Sequence, residues 1–526
     1  MYEFQTGQEE LVKHPDGPQA DFDFHALDRL GPRIGHLAVD SRTVKPGDIF
    51  LAYPGEKTDG RKFIPQAIGR GASAVVWERE GFAWNPQWKT PDLPVPDLKS
   101  RAGFIADYLY DHPSQKLWLI GVTGTNGKTS CSHWIVQALA ALDRKAAVIG
   151  TLGAGFPGEM EFSANTTPDP VLLQAKIAHF LRRGAECVAM EVSSHGIVQG
   201  RINGATFAVA MLTNLSRDHL DYHGTMEMYA AAKARLFHWS GLRYAVLNLD
   251  DAFGVQLLRD LEGTGIGIIG YGFTDTAIAY PNPGTFRTVS GRNLKASMAG
   301  LEFDIEFEAE CLKFKTEVLG SFNASNLLGV LATLLASGIA FAEAVRALQE
   351  VQPVAGRMQQ IGGEGDEPLI VVDYAHTPDA MEKVLTTLRE VVEAGFPRGK
   401  PETGSGRLVC VFGCGGERDP GKRPLMGEVA TRLADEAIIT SDNPRGEDPD
   451  SIIRDIAVGA AANHRIEKDR AGAIYRAIQG AHKGDVILIA GKGHETWQEA
   501  GGKKFPFSDA EVARRALMTE KAQARI

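Results

Sequence analysis

Residues 121–129 read Gly-Val-Thr-Gly-Thr-Asn-Gly-Lys-Thr. An apolar run at 117–122 leads into them. A helical pattern follows, with Cys131, Trp134, Ile135, Ala138, Leu139 and Leu142 on one face. Strand, glycine loop and helix together form a context in which backbone N–H groups converge on phosphate oxygens at a helix N-terminus. Gly124 and Gly127 allow the close approach, Lys128 reaches the β- and γ-phosphates, and Thr129 offers Mg²⁺ a hydroxyl. The strict phosphate-loop pattern has glycine at position 122, where this chain has Val122. The plainer alternative is a glycine-rich turn with a surface lysine, and the flanking strand and helix weigh against it.

Further strands follow the loop in the same unit, at 187–192, 208–212 and 244–247. Ligand sites in open α/β sheets lie off the carboxyl ends of strands. Glu191 and the Asp/His-rich segment 213–224 occupy such ends, so Glu191 and His219 are predicted to meet Mg²⁺ and the γ-phosphate. Lys233, in the alanine-rich stretch 229–237, reads by composition alone as a surface lysine. Alternation at 301–307 predicts a half-exposed antiparallel strand in a small β insert near 285–318. The apolar stretch 327–342 predicts one buried helix, short of the ~20 residues that span a membrane.

Upstream, strands are predicted at 36–39, 49–52 and 74–77, an irregular loop at 84–96 and a helix at 100–110. Downstream of Val354, four apolar strands recur at 369–372, 408–412, 437–440 and 486–490. Each ends in a polar, mostly glycine-rich segment: Asp373, then 413–423, 441–445 and 491–495. Their density of charge predicts a substrate cleft facing the phosphate loop. Arg418 and Arg445 suit a carboxylate; Asp442 and Glu495 suit an ammonium. The stretch 397–406 reads as a loop.

The 526 residues carry 56 Lys plus Arg against 66 Asp plus Glu, a net charge of −10. A nucleic-acid coat needs a basic face and is excluded as a general role. The 58 glycines exceed the usual ~7%. Five scattered cysteines predict reduced, mostly buried thiols. The polar, acidic start lacks a signal-peptide core, so a cytoplasmic enzyme is expected.

The chain resembles the Mur ligase family. The motifs 123–129, Glu-Val-Ser-Ser-His-Gly (191–196), Asp-His-Leu-Asp-Tyr-His-Gly (218–224), Asp-Tyr-Ala-His (373–376), Asp-Asn-Pro-Arg (442–445) and Lys-Gly-His-Glu (492–495) occur in the family's order. The resemblance implies an α/β fold of three domains. These are a UDP-substrate domain (1–115), a central ATP-binding P-loop domain with a parallel sheet and small β insert (116–353), and a C-terminal Rossmann-like, amino-acid-binding domain (354–526). It implies ATP-dependent addition of meso-2,6-diaminopimelate to UDP-N-acetylmuramoyl-L-alanyl-D-glutamate, with Mg²⁺, by a cytoplasmic monomer that neither binds nucleic acid nor inserts in membrane. Alternatives are the same reaction with L-lysine or another diamino acid, a folylpolyglutamate-synthase-like ligase, or a nucleotide-binding regulator.

The implied ATP site comprises Thr123, Gly124, Thr125, Asn126, Gly127, Lys128 and Thr129, with Asn323, Asn326, Arg357 and Asp373. The implied UDP-substrate site comprises Val39, Ser41, Glu56, Lys57, Thr58, Asn165, Thr166, Thr167, Ser193, Gln199 and Arg201. Arg418, Asp442, Asn443, Pro444, Arg445, Gly491 and Glu495 are implied for the amino acid, with the arginines gripping its distal carboxylate. Lys128, Lys233, Glu191 and His219 are the implied catalytic group. Lys233 matches a lysine that family members carry as a carbamate; with Thr129, Glu191 and His219 it completes the implied metal set. Two domains share the nucleotide, so closure between them is expected.

Overall fold

A computed structural model describes residues 22–30, 36–55, 58–163, 165–274, 284–297, 299–363, 365–395 and 406–524. The polar N-terminal start, Glu56, Lys57 and nearly all of the 397–406 loop lie outside the described residues. The rest is α/β, with parallel sheets in three domains.

The first sheet has four parallel strands, Leu37–Ala38, Ile49–Ala52, Ala74–Glu78 and Asp92–Val95. The last strand lies within the predicted loop 84–96. Pro94 obscures it in the sequence, yet a proline is tolerated on an edge strand because no neighbour needs its N–H. Helix Leu98–Leu109 then covers the sheet.

The central sheet has eleven strands. Its parallel heart runs Gly267–Gly272, Tyr244–Asn248, Val209–Leu212, Trp118–Thr123, Cys187–Glu191 and Ala146–Gly150. Side chains alternate between faces, so two cores form. Ile120 and Val122 pack beneath helices Lys128–Ala141 and Ser321–Ala336, while Leu119 joins the core under helices Pro170–Arg182 and Ala252–Asp260. The predicted β insert is present as Phe286–Ser297, Gly300–Phe307 and Glu310–Thr316. It is not a separate sheet: Phe286–Ser297 pairs in parallel with Gly267–Gly272 and carries the other two as an antiparallel wing. The single helix predicted over 327–342 is two, because Ser321–Ala336 ends before Gly338, whose φ is +80°, and Phe341–Gln349 begins after it.

The C-terminal sheet orders Gln359–Gly362, Leu369–Asp373, Val486–Ala490, Leu408–Phe412, Glu436–Ile439 and His464–Ile466, parallel except for the first. A hairpin, Trp497–Ala500 with Lys503–Pro506, stands apart from it. Each of the three large sheets has a core on both faces. No helix among the described residues is long and apolar enough to cross a membrane. Cys131, Cys187, Cys410 and Cys414 are buried free thiols, and Cys311 is exposed.

Candidate active site

Strand Trp118–Thr123 delivers the glycine loop to helix Lys128–Ala141. Gly124 and Gly127 have φ of +146° and +87°. A Cβ on Gly124 would run into Thr213 Oγ1, and one on Gly127 would stand 2.6 Å from Asn326 Oδ1. Both positions therefore require glycine. Lys128 Nζ donates to the Gly124 and Thr125 carbonyls at 2.8 Å each, spanning the loop. Burial lowers its pKa. Asn126 is fixed by Asn214 and Thr213, and its side chain donates to Asp379 Oδ2 of the C-terminal unit at 3.1 Å. Ser216 Oγ donates to the same oxygen at 2.9 Å. Thr123 Oγ1 donates to the Val192 carbonyl, and Thr125 Oγ1 contacts Tyr229 Oη at 3.2 Å.

Glu191 ends its strand fully buried. Its Oε2 accepts from Thr129 Oγ1 at 3.0 Å and Thr151 Oγ1 at 3.1 Å; its Oε1 accepts from the Thr151 N–H at 2.7 Å. Gly150 makes room, since a Cβ there would collide with Oε1. A hydroxyl beside a carboxylate is a hard oxygen set that fits Mg²⁺, which takes few protein ligands and completes its shell with phosphate and water. No group of three or more His, Cys, Asp or Glu among the described residues could hold a metal. His219, at φ +55°, has its Nε2 3.3 Å from Asp218 Oδ2 and packs edge-on against His195 at 4.8 Å between centroids. Burial pushes its pKa down to about 4, leaving a neutral imidazole.

Lys233 is only 1% exposed, which overturns the surface-lysine reading from composition. Its Nζ donates to the Gly124 carbonyl at 2.8 Å and lies 4.4 Å from the centre of the Tyr229 ring. Burial, then the neighbouring Lys128 charge, holds its pKa well below the usual lysine range.

Thr166 and Thr167 lie beside Glu191 and Thr151. Thr166 Oγ1 meets Thr151 Oγ1 at 3.1 Å. Thr167 Oγ1 donates to the Glu191 carbonyl and meets Ser193 Oγ, both at 3.0 Å. Arg201 donates to the Thr167 carbonyl and to Gln199 Oε1, both at 2.9 Å, while Asn165 is exposed. In the first domain Ser41 is buried and donates to Gln66 Oε1 at 2.8 Å; Val39 packs on the core and Thr58 is exposed.

Arg357 enters from the C-terminal side. It donates to Thr129 Oγ1 at 3.2 Å and lies 4.4 Å over the Tyr374 ring. Asn326 donates to Asn323 Oδ1, which keeps its amide beside Gly127. Asp373 accepts from the Met358 and Ala375 N–H groups at 2.8 Å each, and burial raises its pKa.

In the amino-acid segment, Asp442 Oδ1 accepts from the Asn443 N–H at 2.7 Å. Asn443 Nδ2 donates to Glu495 Oε2 at 2.7 Å, and its Oδ1 accepts from Lys492 Nζ at 3.0 Å. Lys492 also donates to Glu495 at 2.8 Å, so Glu495 neutralises a buried lysine. Arg445, at φ +52°, donates from Nη1 to the Gly416 carbonyl at 2.7 Å, with Nε 3.6 Å from Glu499 Oε2. Its side chain is 20% exposed, and Arg418 is exposed. The hairpin grips this segment by four bonds: Gln498 to the Asp442 carbonyl, Glu499 N–H to Asn443, Arg445 N–H to the Glu499 carbonyl and Gly501 N–H to the Arg445 carbonyl. Pro444 is buried within it, and Gly491 has φ of +111°.

Sequence reasoning missed Thr151, Tyr229, Asp379 and Lys492. Thr151 follows a strand end, a signal the reading applied elsewhere. Asp379 and Tyr229 sit in helices with nothing local to mark them.

The sequence matches the Mur ligase family's catalytic domain over 33–110, its middle domain over 122–334 and its glutamate ligase domain over 356–493. A Nitrosomonas europaea protein named UDP-N-acetylmuramoyl-L-alanyl-D-glutamate--2,6-diaminopimelate ligase is 54% identical over 93% of this chain and 94% of its own. A Chromobacterium violaceum protein of the same name is 50% identical over 94% and 97%. A solved structure of a ligase of that name superposes with a TM-score of 0.65 at 36% identity, covering 93% of this chain and 95% of the other.

Proposed function

The chain belongs to the Mur ligase family, and from that premise we propose that it joins meso-2,6-diaminopimelate to UDP-N-acetylmuramoyl-L-alanyl-D-glutamate with ATP, as a cytoplasmic monomer in peptidoglycan biosynthesis. The observation that carries this reading is the meeting of Thr129 with Glu191 and with Arg357, next to the phosphate-loop Lys128. Such a site assembles a nucleotide between two domains.

A carboxylate is a poor electrophile, so the D-glutamyl γ-carboxylate takes the γ-phosphoryl group from ATP. The amine of diaminopimelate then attacks the acyl phosphate, and phosphate leaves. The protein contributes position and charge. Lys128 and the loop N–H groups hold the phosphates. Arg357, Asn323, Asn326 and Asp373 hold the rest of the nucleotide. Thr129 and Glu191 would hold Mg²⁺, with His219 and a carbamylated Lys233 as further ligands. When bound, the ion neutralises charge on the transferring group. Burial disfavours the ammonium form of Lys233, which would repel the ion, and so favours the free amine that adds CO₂.

Asn165, Thr166, Thr167, Ser193, Gln199 and Arg201 would present the peptide and pyrophosphate. Val39, Ser41, Glu56, Lys57 and Thr58 would take the uridine end. Asp442, Asn443, Pro444, Arg445, Gly491, Glu495 and Arg418 would take the diamino acid, with the arginines on its distal carboxylate. The three domains would span 1–115, 116–353 and 354–526.

Phosphate release measured with the UDP-dipeptide should depend on meso-diaminopimelate and be about tenfold weaker with L-lysine, since losing a charge-assisted bond to partly exposed arginines costs on the order of 1.5 kcal/mol. Equal rates with lysine would sink the specificity. Arg445→Ala should raise the KM for diaminopimelate about tenfold or more.

A further inference from the structure

Helix Arg470–Gln479 begins with an arginine that the catalytic reading does not use. Its side chain is wholly buried. Nε and Nη2 donate to the two carboxylate oxygens of Asp509 at 2.7 Å each, and Nη2 also reaches the Ala490 carbonyl at 2.9 Å. Nη1 has no hydrogen-bond partner. Asp442 Oδ2 lies 4.0 Å from it, and that oxygen too is buried without a partner. A Cβ on Gly491 would stand 2.8 Å from the same oxygen, so the strand end leaves it only a narrow seat.

The charges here do not balance. Arg470 is matched by Asp509 and Lys492 by Glu495. Asp442 is the third carboxylate beside two cations, with one oxygen held by Asn443 and the other outside hydrogen-bond reach of any donor. Arg470 attracts that oxygen without capturing it. A carboxylate so placed is aimed and incompletely neutralised, which suits an incoming ammonium.

We propose that Arg470 is a positioning residue for the diamino acid: held by Asp509 and the Ala490 carbonyl, it orients the Asp442 carboxylate for the substrate's ammonium. The proposal rests on reading 442–445 as the amino-acid site.

The test is steady-state ligation by the full chain with each of the three substrates varied in turn. The double variant Arg470→Met with Asp509→Leu removes both charges and keeps apolar bulk, a replacement that buried ion pairs often tolerate. The expected result is a folded protein whose KM for meso-diaminopimelate rises about tenfold, with the KM values for ATP and UDP-dipeptide unchanged. Arg470→Lys, which keeps the charge, should recover most of that loss. A folded double variant with the parent KM for diaminopimelate overturns the proposal, as does an equal loss for all three substrates. If the double variant does not fold, the neutral polar pair Arg470→Gln with Asp509→Asn decides: a raised KM for diaminopimelate alone supports the role, and an unchanged one overturns it. A parent chain that ligates no diaminopimelate would fail the functional reading itself, a separate outcome visible before any variant is made.

Discussion

Gly150 shows how closely single atoms govern this site. Glu191 Oε1 occupies the space that a Cβ at position 150 would fill. Gly150→Ala should push the carboxylate off Thr129 and Thr151 and lower kcat by about 10²–10³, in a protein whose circular dichroism is unchanged. A normal kcat would show that the carboxylate can act from elsewhere. The phosphate loop was legible in the sequence because its working residues are contiguous and each has a known use for its type. Lys233 was not. Burial of a lysine in an alanine-rich helix is decided by what packs over it, here Tyr229 and the Gly124 carbonyl. Only the match to a lysine that family members carry as a carbamate pointed to it. The same limit applies to Arg445 and Arg418: the sequence marks both as carboxylate partners but not their exposure, and one is a fifth exposed while the other lies at the surface.

Among the elements, the buried central strands were readable, and of the peripheral ones only those with a clear alternation or apolar run, such as Gly300–Phe307, were. Cys187–Glu191 and Val486–Ala490 are buried on both faces, so their apolar runs are unmistakable. Lys503–Pro506 is exposed throughout and exists because backbone bonds hold its hairpin. Yet that hairpin supplies four bonds to the segment Asp442–Arg445. Replacing residues 497–506 with a short glycine–serine linker should raise the KM for diaminopimelate about tenfold, because the segment must then be ordered by the ligand. Nucleotide affinity, measured by calorimetric titration, should stay within about twofold. Loss of both would assign the hairpin to folding instead. The helix predicted over 327–342 failed at Gly338, where one left-handed residue between two apolar runs turns the chain. Apolar character alone could not reveal the turn.

At the scale of the molecule, buried imidazoles set a response to acid. Burial pushes His133 and His494 from about 6.5 to about 4. Between those values the unfolded chain takes up protons that the folded one refuses, so stability rises with pH across this window and is lost as pH falls through it. Urea midpoints should therefore decline steadily from pH 6.5 to 4, and a flat profile would mean these rings are solvated. The three-domain plan followed from the family resemblance, but the contacts joining the domains were not legible, since they pair residues hundreds of positions apart. Asp379 is such a contact: it lies on a C-terminal helix yet holds Asn126 of the phosphate loop and Ser216 beside it. Any nucleotide that grips the loop would thereby bind the melting of one unit to that of the other. Scanning calorimetry should resolve separate endotherms for the free chain, and a non-hydrolysable ATP analogue should fuse the central and C-terminal peaks. Peaks that stay apart would mean that the two halves absorb heat independently.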